Sequence, residues 1–359
     1  MNVLFSKAPF HFLIYFFLIL MGCSVKDGIT PDIITPLPTK SLKSASTSFS
    51  VGLSTSTPKL DLLSYTQIIE REFERITAEY QMKMNVILPV KGTYNWSKAD
   101  QIVNYAVSKG LKVHGHALVW HESTPDWLLN YQGTDVQFEQ EVKDYITAVV
   151  SRYKGKVASW DVVNEGVSDS AGLLRNTVFK QRMGDDYMVK CFQFAHDADP
   201  DSKLFYNDYN LETNQAKQNK VFELFEDWKL RKVPIHGIGF QMHISYLTPK
   251  AQIQTATNKA VASGLLLFYS ELDIRANPNK DISTFTLERS EAQRLKFKEV
   301  VQIYNAIPIS NKFGITVWGL KDDDSWLLKH HNNFNEWPLL FDANFNAKQA
   351  HTGFLEGLN

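Results

Sequence analysis

From Phe49 onward the chain alternates short apolar runs with longer segments in which apolar residues recur every three or four positions. The short runs are Phe49–Ser54, Met84–Val90, Leu111–Trp120, Val157–Glu165, Lys203–Asn210, Gly237–Ser245, Leu265–Asp273 and Phe313–Leu320. Several are almost continuously apolar, the pattern of parallel strands buried on both faces. Amphipathic segments lie between them. Asp100–Lys109 ends at Gly110, a helix C-terminal signal. Val136–Tyr153 places Phe138, Val142, Tyr145, Ile146 and Val149 on one face and stops near Gly155. Asn214–Lys229, Lys250–Ser263 and Ser290–Asn305 behave alike, and a last helix is expected over Ala347–Leu358. Eight strand–helix units of about 30–50 residues close most naturally into a (β/α)8 TIM barrel, an α/β fold in a single domain. An open doubly wound sheet would carry a glycine-rich phosphate turn after an early strand, and the sequence has none.

The segment before Phe49 follows different rules. Lys7 precedes an apolar stretch, Phe10 to Leu20, of signal-peptide length. Leu20-Met21-Gly22-Cys23 then resembles a bacterial lipobox, in which the cysteine is lipidated and becomes the mature N-terminus; an ordinary secretory signal with a coincidental cysteine is the alternative. Ser24–Ser48 is rich in Ser, Thr, Pro and Lys and reads as a tether. The expected organisation is therefore a signal peptide over 1–22, a lipidated N-terminus and tether over 23–48, and a catalytic domain over 49–359. The product is expected to be secreted and held on a bacterial membrane, at the outer membrane or cell surface, by the Cys23 lipid alone.

Composition narrows the function. The 359 residues are 44% hydrophobic, enough for a large core, and the net charge of −1 gives no field for nucleic acid. Two cysteines, Cys23 and Cys191, allow no disulfide framework and no zinc spacing, and Cys191 in its apolar run reads as a buried thiol. Eight tryptophans offer flat apolar faces suited to core packing or to a sugar ring. No cofactor or metal is called for, and a monomer is expected.

In a barrel, chemistry gathers at the C-terminal ends of the strands. Here those ends are polar: Lys83 just before the second strand, His114-Gly115-His116 with Trp120-His121 on the third, Asn164-Glu165 on the fourth, Asn207-Asp208-Tyr209 on the fifth, Gln241-Met242-His243 on the sixth, Glu271-Leu272-Asp273 on the seventh and Trp318 on the eighth. Glu165 ends an apolar strand, where partial desolvation favours a protonated acid. Glu271 emerges from the apolar run Leu265–Tyr269, and alternation puts Asp273 on the same face. A helix cap or an ion pair explains either glutamate alone. Two carboxyls facing across one mouth instead suit glycoside hydrolysis, with retention of configuration when they stand about 5–5.5 Å apart.

The blocks Met82-Lys83, Gly115 to His121, Trp160 to Glu165, Tyr206 to Asn210, Gly239 to His243, Ser270 to Asp273, and Val317 to Leu320 with Ser325-Trp326 together resemble glycoside hydrolase family 10, the endo-β-1,4-xylanases. The resemblance covers about Phe49 to Leu358. It implies a retaining enzyme acting on xylan or xylooligosaccharides, with Glu165 as acid/base and Glu271 as nucleophile. His243, oriented by Asp273, would bond Glu271 and keep it ionised. Asn164 would bond the sugar 2-hydroxyl with Gln241 beside it, while Glu79, Lys83, His116 and Trp120 would line the glycone side. Trp318 and Trp326 would stack on the sugar, and Tyr209 would border the acceptor side. His121 reads as structural, and His114 carries no assigned chemistry.

Two positions depart from the family pattern. Tyr80 stands where the family commonly has Asn in Glu-Asn-x-Met-Lys, and Ser123 where it commonly has Gln after Trp-His. Both alter contacts to the second glycone sugar. Three other readings compete: a xylan-binding surface lipoprotein on an inactive barrel, a zinc hydrolase prompted by His114-Gly115-His116, and a retaining glycosidase for another β-glycan or aryl glycoside.

Overall fold

The computed structural model describes residues 39–359 apart from Ala171; Cys23, the expected leader and most of the expected tether lie outside the described residues. Eight strands run parallel: β1 (Ser50–Thr55), β2 (Arg75–Ala78), β3 (Lys112–Gly115), β4 (Val157–Asn164), β5 (Lys203–Asp208), β6 (Gly237–Phe240), β7 (Leu266–Arg275) and β8 (Lys312–Val317). Each pairs with the next, and β8 pairs with both β7 and β1, so the sheet closes on itself as a (β/α)8 barrel. Two short extensions lengthen the rim: Val119–Trp120 pairs with β4, and His243–Ser245 pairs with β7.

The strands are apolar because both faces are covered. Every residue of β1, β2 and β6 is buried. Inside the ring, Phe205 of β5, Phe268 of β7 and Phe313 of β8 meet at ring separations of 4.5–5.9 Å. Because β5 and β8 are not neighbours in the sheet, that contact crosses the interior and fills it, as a barrel of this size requires. Outside, amphipathic helices bury the faces expected of them. The helix Asp135–Arg152 sinks Phe138, Val142, Tyr145, Ile146, Val149 and Val150, and Thr134 with Gln137 closes its N-terminus as a reciprocal capping box. Gly353 lets the last helix, Gln349–Leu358, lie against Leu287–Asn305, since a Cβ there would meet the Arg294 carbonyl oxygen at 2.1 Å.

Three expectations change. The second strand is not Met84–Val90 but Arg75–Ala78, and Met84–Ile87 forms a helical turn. The run Met-Asn-Val-Ile-Leu looks β-like, whereas Arg-Ile-Thr-Ala is short and only half apolar, so hydropathy favours the wrong segment. Lys83 consequently follows the second strand rather than preceding it, which puts it on the functional rim. The helices Leu63–Glu72 and Tyr187–Ala198 were not expected from the pattern, although Cys191 in the second is fully buried as expected. Finally, the expected tether reaches too far. Ser41 caps a turn over Leu42–Ala45, Leu42 is fully buried, and its N–H donates to the buried Glu72 carboxylate at 2.8 Å. The packed domain thus includes residues before Phe49.

Candidate active site

Every barrel strand delivers its C-terminal end to the same mouth, and there the side chains surround a cleft of about 730 Å³. Twelve of the residues given site roles from the sequence line it: Glu79, Lys83, His116, Trp120, Asn164, Glu165, Tyr209, Gln241, His243, Glu271, Trp318 and Trp326. Asp273 lies just behind, fully buried.

Glu271 sits on β7 and is 4% exposed, so its charge needs partners. Asn207 Nδ2, at the end of β5, donates to its Oε1 at 2.7 Å, and His243 Nε2 lies 3.4 Å from its Oε2. His243 Nδ1 is 3.0 Å from Asp273 Oδ2, which also accepts from the Trp326 indole N–H at 3.0 Å. Burial opposes a charge on His243, but Asp273 and then Glu271 outweigh it and push the imidazole up to about 10. Burial would likewise raise Glu271, yet the hydrogen bond from His243 and the His116 and His243 rings hold its carboxyl below the usual glutamate range. At neutral pH the pair is therefore imidazolium beside carboxylate.

Glu165 follows β4 directly and has φ of +57°, a left-handed conformation rare for a side chain of its length. The backbone is pinned on both sides: Glu165 N–H donates to the Asn207 carbonyl at 2.8 Å, and Arg175 Nε donates to the Glu165 carbonyl at 2.9 Å. Such a turn persists when its surroundings over-determine it. It releases the side chain from the strand, and Oε1 accepts from Asn164 Nδ2 and Gln241 Nε2, each at 3.2 Å. Asn207 Nδ2 also donates to Asn164 Oδ1 at 2.9 Å. One amide thus ties the surroundings of both glutamates together, and Ser270 Oγ fixes that amide by donating to Asn207 Oδ1 at 2.6 Å.

The walls are aromatic and basic. Lys83 Nζ lies 4.5 Å from the Trp120 ring centre and 5.0 Å from that of Tyr80. Burial pushes Lys83 down against the opposing pull of Glu271, Glu79 and Glu165. Trp318 stands against His116 at 5.3 Å, and Trp326 against His243 at 4.8 Å. Of the two departures, Tyr80 lines the cleft, while Ser123 is buried with its hydroxyl directed 3.4 Å from the Trp120 carbonyl.

Four residues escaped the sequence reading. Asn207 lay inside a quoted block without a role, although alternation from Phe205 puts it on the inner face. Arg175, on a loop, bonds Glu165 and also the Tyr209 hydroxyl at 3.0 Å, and no local pattern announces it. Glu212 is a fourth buried carboxyl on the cleft, beside Glu79, Glu165 and Glu271, and is pushed up to about 7 by its burial. Asp161, on β4, explains the His-Gly-His pattern: its Oδ2 accepts from His116 Nδ1 at 2.9 Å, and His114 Nε2 lies 3.0 Å from the same oxygen. His114 Nδ1 is also engaged, 2.7 Å from Ser159 Oγ. These histidines point at protein groups, and no cluster of three or more metal-ligating side chains is placed to hold an ion among the described residues.

A carboxylate held ionised and a second buried carboxyl receiving two amide donors, in one aromatic cleft at a barrel mouth, match the active-site plan of a glycoside hydrolase. The family profile described as glycosyl hydrolase family 10 matches residues 41–356, and the chain belongs to that family. It is 37% identical over 314 residues to endo-beta-1,4-xylanase Xyn10C of Cellvibrio japonicus, an alignment covering 81% of this chain and 52% of that protein. It is 38% identical over 313 residues to a beta-1,4-xylanase of Dictyoglomus thermophilum, covering 84% and 86% respectively. The chain therefore spans about half the length of the first relative and most of the second. Among solved structures, a variant of xylanase 10C from Cellvibrio japonicus in complex with xylopentaose superposes with a TM-score of 0.85 at 34% identity, covering 88% of this chain and 68% of that one. A family member from Paenibacillus barcinonensis gives 0.85 at 33% identity, covering 89% and 97%.

The His243 contact makes a prediction about pH. A nucleophilic role for Glu271 would require the ionised carboxyl, and its lowered pKa keeps it ionised into acid. In His243→Ala the neighbouring imidazolium is gone while burial remains, so protonation occurs at higher pH. The acid limb of kcat/KM against pH, measured on an aryl xylobioside, should move upward by about one unit. An unmoved acid limb would contradict the assignment.

Proposed function

We propose that this protein is a retaining endo-β-1,4-xylanase that cuts internal bonds of xylan by double displacement. The observation that carries the proposal is the asymmetry of the two glutamates: Glu271 is held ionised by His243 and Asn207, while Glu165 sits among amide donors on a separate turn. Glu165 protonates the leaving glycosidic oxygen as Glu271 attacks the anomeric carbon to form a covalent glycosyl-enzyme. Glu165, now a carboxylate, takes a proton from water, which releases the sugar with its original configuration. Asn164 stands between the glutamates, placed for the 2-hydroxyl contact that strengthens as oxocarbenium character develops. The similar proteins named as xylanases support the substrate class. Proton NMR of the first products from xylooligosaccharide should show the β anomer, and Glu271→Ala should lose activity by a factor on the order of 10⁴. An α-configured first product would refute the retaining mechanism.

Selectivity one sugar further along the glycone side follows from the two departures. Tyr80 is 50% exposed and offers a ring in place of an amide, and Ser123 is too short and too deep to reach the cleft. Two polar contacts of about 0.5–1.5 kcal/mol each are thereby missing. The double variant Tyr80→Asn, Ser123→Gln should lower KM for xylotetraose and longer oligomers; unchanged kinetics would remove this account.

The N-terminal segment adds a location. Lipidation at Cys23 would hold the enzyme on a bacterial membrane as a monomer, at the outer membrane or cell surface, and no helix among the described residues is long and apolar enough to cross one. Cys23→Ser should shift the protein from the membrane to the soluble fraction. Retention of that variant on the membrane would argue against the lipid.

A further inference from the structure

The opposite end of the barrel carries a feature that the glycosidase reading does not use. There, the first residues of the strands line a second cavity of about 460 Å³, among them Ser50 of β1, Arg75 of β2, Lys112 of β3, Lys203 of β5 and Phe313 of β8. Lys112 and Lys203 are exposed at its rim, but Arg75 is only 3% exposed. Its guanidinium packs 4.0 Å from the Phe313 ring centre and 5.5 Å from that of Phe268. Gly314 makes room for it, since a Cβ there would meet Arg75 Nη1 at 2.6 Å.

The charge of Arg75 is poorly answered. Nη2 has one long contact, 3.4 Å to the Phe313 carbonyl, while Nε and Nη1 lie buried behind the cavity wall with no hydrogen-bond partner among the described residues. Among the described residues no carboxylate forms an ion pair with it. Tyr304 and then Glu74, the one acid among the described residues lining this cavity, attract it, Glu74 from beyond ion-pair distance. Burial pushes the guanidinium down to about 10, which still leaves it charged at neutral pH. A buried cation with unsatisfied donors is normally completed by a counter-charge. A buried guanidinium behind two rim lysines makes this cavity electropositive, which suits a small oxyanion. The Ser50 hydroxyl, 3.5 Å from Lys112 Nζ, provides a further polar group on the same wall.

We infer that the floor of the barrel binds a small oxyanion, held by Arg75 with Lys112 and Lys203 at the rim. The anion completes the buried charge and stabilises the barrel. It takes no part in glycoside cleavage, because the cavity is built from the N-terminal ends of strands whose C-terminal ends form the active site.

Thermal unfolding tests this with sodium phosphate, sulfate, acetate and glucuronate, each titrated against sodium chloride at matched ionic strength and pH 7. The parent should show a saturable rise in Tm of about 2–4 °C at ten times the Kd of the preferred anion. The preference between tetrahedral and planar anions identifies which class occupies the site. Arg75→Gln should abolish the saturable rise. Lys112→Gln, a change at an exposed position, should raise the half-saturating concentration several-fold and keeps the test open if the first variant fails to fold. Hydrolysis rates should be indifferent to the anion in parent and variants, which separates this inference from the assignment of Glu165 and Glu271. Equal behaviour of all four anions and chloride, or an identical saturable rise in parent and both variants, would overturn it.

Discussion

Closing a parallel sheet on itself is the constraint from which the rest of this structure follows. Once β8 pairs with both β7 and β1, all eight strands point the same way, and their C-terminal ends share one rim. Residues as distant in sequence as Lys83, Glu165, Glu271 and Trp326 are thereby brought to one cleft. The ring must also be filled, and the interlocking of Phe205, Phe268 and Phe313 across its interior does so. The two ends then diverge in character. The rim that receives the loops carries carboxyls and aromatic walls, whereas the floor carries a guanidinium without an ionic partner among the described residues.

At the catalytic rim, electrostatics separates two chemically identical side chains. Glu271 stands beside His243, whose charge is secured by Asp273, and Asp273 is in turn bonded by Trp326. Each member answers the desolvation of the next, so no charge is left alone in a buried position. Glu165 instead receives neutral amide donors from Asn164 and Gln241. Asn207 joins the two environments, since its amide touches Glu271 directly and reaches Glu165 through Asn164. The proposed retaining mechanism asks two carboxyls for different roles, and their surroundings here differ accordingly.

Tyr80 and Ser123 stand apart from the Glu165–Asn164–Asn207–Glu271 chain of hydrogen bonds, and neither is bonded to Glu165 or Glu271. Lys83 lies over the rings of both Tyr80 and Trp120.

The sequence alone determined the architecture and most of the site. Seven of the eight strands are legible because burial on both faces leaves continuous apolar runs, and polar residues at their ends stand out against that background. Glu165, Glu271, His243, Asn164, Gln241 and the tryptophans were all readable in this way. Only the tertiary structure decided the second strand, because Arg75–Ala78 is buried by its neighbours rather than by its own hydropathy. It also moved the start of the packed domain back to Ser41, through a single hydrogen bond to Glu72 and the burial of Leu42. It gave Asn207 and Arg175 their places, and it showed that Asp161 occupies His114 and His116. These are contacts between side chains far apart in the chain, and periodicity records only which face a residue turns to, not which partner it meets there.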